Sequence, residues 1–436
     1  MGPRKRWITA AEERGLRAHR WTPQGTAREE RPVDIAELKG VPSASTHPNL
    51  PANGRLARTM VVVAGLGAVG GHVLCGLAKL GVGELLGVDP DRYGPDSFLT
   101  QPIRRREDTG RSKARVQGAR AFATNPLARI TTVQGFAQDL PLGALRGAGL
   151  LVATGDNAAL PVWLGRIAAA LGVPMLQGAV FGEQWLALVR GYGLGDPASS
   201  CPACHLAPAE RAGSGHRAGC DPQRLPDSGP RTVTLPHVCG VAAQLVLGES
   251  LKWLLEMEAG RLCGEELAYC MLTHRTWCTR YARDPNCRHR RWRFVDVPDG
   301  PEEVTLSALA GMMPGGAEES GLLQVRGEAP FASFTLCGPC GRRMPVRRFA
   351  RAGDALSDCP CGAPLAALPQ GLRSVIPHDD LRRCRDVPLS ELGVRPGEAV
   401  GLSWAEQWTY FFLGEAEVGG RSAADGPLPA GTLFWK

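Results

Sequence analysis

From residue 59 to about 190 the chain alternates short apolar runs with stretches of helical periodicity. The runs at 60–64, 84–88, 130–133, 150–153, 174–176 and 185–190 predict strands. Between the first two, Val73, Leu77 and Leu80 recur at helical spacing, and a long helix is predicted over 113–123. Residues 191–238 lose all periodicity and turn rich in Gly, Pro and Cys, an excursion from the sheet. A mostly apolar helix returns over 240–257.

The first strand, helix and second strand are joined in a telling way. Val61 to Ala64 run into Gly65-x-Gly67-x-x-Gly70, and the second strand ends at Asp89. Strand, glycine turn, helix and strand make the opening unit of a nucleotide-binding α/β sheet. The glycines let backbone approach phosphates, and the helix start offers free N–H groups and partial positive charge. Asp89 lies where a carboxylate can hold ribose hydroxyls. This much fits NAD as well as ATP.

The residues after Asp89 separate the two nucleotides. Asp91 stands in VDPD, and DSFLTQPIRRREDTGRSKA then brings Gln101, Arg104, Arg105, Arg106, Arg111 and Lys113. A dehydrogenase has no need of such a cationic cluster beside its phosphate loop. An enzyme attacking the α-phosphate of ATP does, because charge builds on phosphoryl oxygens in the transition state. Asp156 and Asn157 end the strand at LLVATGDN, where an aspartate can hold Mg²⁺; a helix N-cap is the plainer role for that position.

Composition narrows the class further. Hydrophobic residues make up 44% and charged residues 21% of 436, with a net charge of +7. That is too mild, over this length, for a dedicated nucleic-acid binder. No apolar run approaches the roughly 20 residues of a membrane span, and the start lacks a signal-peptide core, so a cytoplasmic protein is expected. The 14 cysteines then read as thiols or metal ligands rather than disulfides. Cys337-Gly-Pro-Cys340 followed by Cys359-Pro-Cys361-Gly is the spacing of a zinc ribbon. Four regions are expected: a basic arm over 1–58, a nucleotide-binding domain over 59–295, the ribbon over 325–366 and a mixed tail over 367–436.

GLGAVGGHV, VDPD, DTGRSKA, TGDN, CPAC and DPNCRH, in that order over about 55–292, resemble the ThiF/MoeB/HesA family, the ubiquitin-activating-type adenylation domain. The resemblance implies a doubly wound, mainly parallel Rossmann-like sheet, usually in a homodimer. It implies adenylation, with ATP and Mg²⁺, of the terminal glycine of a ubiquitin-like protein. By position, the glycine loop and Asp89 would contact ATP, Lys113 its phosphates and Asp156 the magnesium. The family's Asn-x-x-Arg-Gln is altered here to SFLTQ, so Arg104, Arg105 or an arginine of the arm (Arg55 or Arg58) would substitute for the missing arginine. The family also closes a structural zinc with a second cysteine pair. Here Cys201, Cys204 and Cys287 match, Arg290 stands in the usual fourth place, and His289 is the expected replacement.

Relatives with a catalytic cysteine in this domain carry it on the crossover loop, where Cys220 lies, flanked by Arg211, Arg217 and Arg224; Cys239 is the competitor. Together these features imply thioester formation and transfer to a conjugating enzyme, in the setting of bacterial operons used against phage. The same adenylation serving sulfur transfer in thiamine or molybdopterin synthesis is the alternative. An NAD oxidoreductase and a non-catalytic ribbon adaptor are the remaining readings.

Overall fold

The structure, a computed structural model, describes residues 17–21, 54–95, 97–101, 105–155, 159–193, 199–206, 234–258, 260–287, 291–313, 323–351, 353–404 and 407–414. The described residues divide into two compact units, one within 11–140 and 148–291, the other within 141–147 and 292–414.

The first unit is built on one nine-stranded sheet. Its parallel centre consists of β2 (Met60–Ala64), β3 (Glu84–Asp89), β4 (Arg129–Gln134), β5 (Ala148–Ala153) and β6 (Met175–Phe181). They lie in the spatial order β4-β3-β2-β5-β6. The chain steps outward from β2 to β3 and β4, then crosses to β5 on the other side of β2, so the winding reverses between β2 and β5. Antiparallel strands extend both ends. On one side are β7 (Leu186–Tyr192), β8 (Glu265–Cys270) and β9 (Arg275–Arg280). On the other, β1 (Arg17–Trp21) pairs with β4 from Arg17↔Gln134 to Trp21↔Ile130. Residues 17–21 of the basic arm thus supply an edge strand. Backbone pairing to a distant strand leaves no trace in so polar a segment.

The strand runs form where expected because their Val, Leu and Ala are buried on both faces: Val61, Val63, Leu85, Leu150 and Val152 have no exposed area. Helix α1 (Gly70–Lys79) buries Val73, Leu74 and Leu77 in the same core. Helix α2 (Lys113–Thr124) is capped by Ser112, which accepts the Arg115 N–H. After α3 (Ala159–Leu171), helix α4 (Pro236–Leu254) opens on a proline, where the missing N–H costs nothing. It sets Val238, Cys239, Ala242 and Val246 into the core. No described helix is long and apolar enough to cross a membrane.

In the second unit, β10 (Arg293–Val297) runs parallel to β16 (Gln407–Leu413), which forms a hairpin with β15 (Ala399–Trp404); β11 (Gln324–Arg326) closes the sheet. A three-stranded sheet holds β12 (Phe331–Leu336), β13 (Arg343–Phe349) and β14 (Leu372–Arg373). The ribbon and tail share a core: Phe331 and Phe349 cluster with Leu389, Val400, Leu402 and Phe411. Helices α5 (Leu306–Gly311) and α6 (His378–Cys384) pack there through Leu309 and Leu381.

A short segment from between β4 and β5 belongs to this unit as well. The Leu142 N–H donates to both carboxylate oxygens of Glu328 at 3.0 Å, and Glu328 also accepts the Ala399 N–H at 2.6 Å. The Gly143 N–H donates to the Gly397 carbonyl at 3.0 Å. Arg146 pairs with Asp296 and lies 4.5 Å over the Phe412 ring.

Candidate functional site

The winding reverses between β2 and β5, and open α/β sheets bind ligands at the carboxyl ends of the strands beside such a reversal. The glycine loop leaves β2 there. Gly65 has φ +89°, a left-handed conformation that disfavours side chains, and a Cβ on it would sit 2.8 Å from the Gly155 nitrogen. A Cβ on Gly70 would come to 1.8 Å from the Gly65 carbonyl oxygen. The Thr154 hydroxyl donates to that same carbonyl at 2.6 Å, so the end of β5 fixes the loop. Gly67 differs: a Cβ there meets nothing within 4 Å. The loop is closed against the protein and open at its middle glycine, as a phosphate cradle requires.

Asp89 meets the loop from the end of β3. Its carboxylate accepts the Leu66 N–H at 2.6 Å and the Asp91 N–H at 2.8 Å. Burial raises the carboxyl from 3.8 to about 6; Lys113 opposes the shift and Asp91 adds to it. Between about pH 4 and 6 the folded chain therefore holds a proton that the unfolded chain has released, so this group's contribution to stability falls as pH rises through that window. Wild type is expected to lose stability relative to Asp89→Asn over the same range, read from urea midpoints. A pH-independent difference would contradict the shift.

Lys113 begins α2 and is almost fully buried, with its Nζ 3.0 Å from Asp91 Oδ2 and its N–H on the Asp91 carbonyl at 3.0 Å. The two segments are stitched together by bonds from Tyr93 N to Arg111 O and from Gly110 N to Tyr93 O. Gln101 has a buried side-chain oxygen with no partner among the described residues. Gly65, Gly67, Gly70, Asp89, Asp91 and Lys113 thus converge. Arg104, Asp156, Asn157, Cys220 and His289 lie outside the described residues. Of the candidate substitutes for the family arginine, Arg55 is paired with Glu256.

Asp108 joins this constellation without having been expected from the sequence. It is buried; its carboxylate accepts the Arg105 N–H at 2.8 Å and pairs with Arg111 and Arg120, bracing the loop that delivers Lys113. An acid placed to close a tight turn before a helix cap was the available signal.

Among the described residues two thiol clusters form. Cys201 Sγ is 3.4 Å from Cys204 Sγ and 3.6 Å from Cys287 Sγ, far beyond a disulfide bond but near the edge of a tetrahedron about 3.8 Å wide that Zn–S bonds define. These three residues fit Zn²⁺ as ligands. Neighbouring His205 is engaged elsewhere, with Nε2 3.2 Å from Ser200 Oγ and its ring stacked on Tyr281. The second cluster joins Cys337, Cys340, Cys359 and Cys361. Cys239, the alternative nucleophile, is fully buried and its thiol is pushed up to about 11 by that burial, which suits packing and not attack.

A doubly wound, mostly parallel sheet with a glycine loop at its switch point, a buried Lys–Asp pair and a thiol cluster has the architecture of a nucleotide-binding α/β protein. The sequence profile of the ThiF family matches residues 47–289, more than half of the chain, and the chain belongs to that family. It is 27% identical over 237 residues to the SAMP-activating enzyme E1 of Haloferax volcanii, covering 54% of this chain and 81% of that one. It is 34% identical over 128 residues to the sulfur carrier protein adenylyltransferase of Thermus thermophilus, covering 29% of this chain and 47%, less than half, of that protein. Among solved structures, E. coli MccB with ATP is similar at a TM-score of 0.45 and 19% identity, over 54% of this chain and 68% of MccB.

Proposed function

We propose that this chain is an ATP-dependent activating enzyme for a ubiquitin-like protein ending in glycine. The observation that carries the reading is the meeting of the Gly65–Gly70 loop, Asp89 and the Lys113–Asp91 pair at one place. In this reading the glycine loop and the start of α1 hold the phosphates of ATP, and Asp89 takes the ribose once it is ionised. Asp156 is the ligand for the accompanying Mg²⁺, and Gln101, Arg104 and Asn157 complete the nucleotide contacts. The terminal carboxylate of the partner protein attacks the α-phosphorus. A P–O bond forms, the α–β bridge breaks, and pyrophosphate leaves while an acyl-adenylate remains. Lys113 moves from Asp91 toward the phosphoryl oxygens on which charge accumulates.

The Cys220 thiolate then attacks the acyl carbon and expels AMP, giving a thioester for a conjugating enzyme's cysteine. The enzyme acts as a homodimer in the cytoplasm, the ribbon and tail recruit the partner proteins, and bacterial defence against phage is its setting. The names of the two relatives, an activating enzyme E1 and a sulfur carrier protein adenylyltransferase, support activation of a partner protein. That of the Thermus relative favours a second reading, in which the same adenylate serves sulfur transfer and no thioester forms.

One assay separates them. With Mg·ATP and a glycine-ended ubiquitin-like protein, wild type is expected to give ATP–pyrophosphate exchange and a conjugate that reducing agent cleaves. Cys220→Ala should lose the conjugate and keep the exchange, because adenylation precedes the thiol's step. A reducible band persisting in Cys220→Ala removes that residue from the mechanism. No band in wild type, with exchange intact, favours sulfur transfer. No exchange with any such protein defeats both.

A further inference from the structure

The thiol cluster of the second unit lies outside the family match, which ends at 289, and the adenylation chemistry makes no use of it. Its two halves are built alike. In the first, the Cys337 N–H donates to the Arg342 carbonyl at 2.9 Å, the Gly341 N–H donates back to the Cys337 carbonyl at 2.8 Å, and Gly341 turns left-handed at φ +68°. In the second, the Cys359 N–H donates to the Ala363 carbonyl at 2.8 Å, the Gly362 N–H donates to the Cys359 carbonyl at 2.7 Å, and Gly362 has φ +83°. Each turn folds its two thiols to the same side. Across the turns, Cys337 Sγ lies 3.6 Å from Cys361 Sγ, and Cys340 Sγ lies 3.6 Å from Cys359 Sγ. All four sulfurs fall within 4.8 Å of one another. A disulfide bond is about 2.05 Å, so these are not bonded pairs. Four sulfurs at about 2.3 Å from a common Zn²⁺ stand about 3.8 Å apart, which is close to what is found.

The surroundings show what such an ion would do. The apolar shell around the thiols is Leu365 with parts of Met344, Leu356 and Ala363, and the next cluster along the hairpin centres on Ala332, Ala350 and Ala367. Only at its base, through Phe331 and Phe349, does the hairpin reach a sizeable core. Besides the thiols, the fully buried apolar residues of these two clusters are three alanines and one leucine, with Met344, Val346, Leu356 and Leu372 only partly covered, and cores this small do not offset the entropy of ordering so many residues. We propose that Cys337, Cys340, Cys359 and Cys361 hold a structural Zn²⁺, closed by four thiolates and with no position for water, and that this ion supplies the folding energy of residues 335–367. With all four positions taken, it has no hydrolytic role.

The test uses the full chain. Elemental analysis of Cys340→Ser/Cys361→Ser, which removes the two exposed thiols, is expected to show one zinc per chain fewer than wild type. Cys204→Ser alters only the other cluster and should leave this ion in place. Hydrogen exchange of wild type before and after chelation keeps the question open to refutation even if the double variant misfolds. Amides of 335–367 should exchange at least about tenfold faster without metal, while those of β2 and β5 keep their protection. Unchanged zinc content in the double variant, or unchanged exchange over 335–367 in the chelated wild type, would overturn the proposal.

Discussion

Lys113→Ala is expected to lower ATP–pyrophosphate exchange by at least about 100-fold, the usual cost of removing one preorganised charge from a developing phosphoryl transition state. Lys113 is 5% exposed, and its ammonium faces Asp91 at 3.0 Å. Its removal leaves Asp91 beside Asp89 without that charge between them and the triphosphate. On the proposed assignment the loss should therefore appear in binding as well as in turnover, since Asp91 would then face the nucleotide without a neutralising charge. Circular dichroism and the melting profile of the variant establish that the fold survives. Lys113→Arg should recover little, because a planar guanidinium does not fit the buried place of a compact ammonium. Exchange retained by Lys113→Ala would dismiss the nucleotide assignment.

Gly70→Ala has the largest expected effect on folding. The new methyl group would stand 1.8 Å from the Gly65 carbonyl oxygen and 2.4 Å from the Thr154 hydroxyl. Both are held in place, the carbonyl by the Thr154 hydroxyl and the threonine by its N–H on the Ala64 carbonyl at 2.9 Å. The first turn of α1 must therefore move away from β2, at a cost above about 3 kcal/mol, in the range of severe packing lesions. Gly67→Ala is the informative companion. Its methyl meets nothing within 4 Å in the protein, so stability should change by less than about 0.5 kcal/mol. The methyl does enter the space where phosphates would lie, so the rise in melting temperature that Mg·ATP is expected to give wild type should shrink or vanish. Equal urea midpoints for Gly70→Ala and wild type, or full stabilisation of Gly67→Ala by Mg·ATP, would contradict this account of the loop.

The parts of this molecule that could be read from the chain are those whose cause is local. The run MVVVA before Gly65, the helical spacing of Val73 and Leu77, and Asp89 closing the next strand each depend on neighbours in sequence. So do the paired cysteines, because both thiols of each turn lie within a few residues of one another. Elements made by distant partners were not legible. Residues 17–21, RAHRW, have no strand pattern of their own and become a strand only by pairing with β4. Strand β16 lies beside β10, far away in sequence, and neither needs a recognisable turn to find the other. Asp108 looked like one acid among many charges until its burial with two arginines was visible.

The segment Pro141–Gly147 has a consequence for the order of assembly in the cell. Leu142 and Leu145 are buried and Arg146 is paired, yet Asp296, Glu328, Gly397 and Phe412, which hold or cover this segment, are all encoded far downstream. At ordinary rates of translation the ribosome needs on the order of tens of seconds to reach them. A nascent chain that has completed β4 and β5 therefore carries a sticky, unfinished connection between them. Protein synthesis that stops early, or a ribosome that stalls before β16, leaves that connection uncovered, a natural mark for chaperones and proteases.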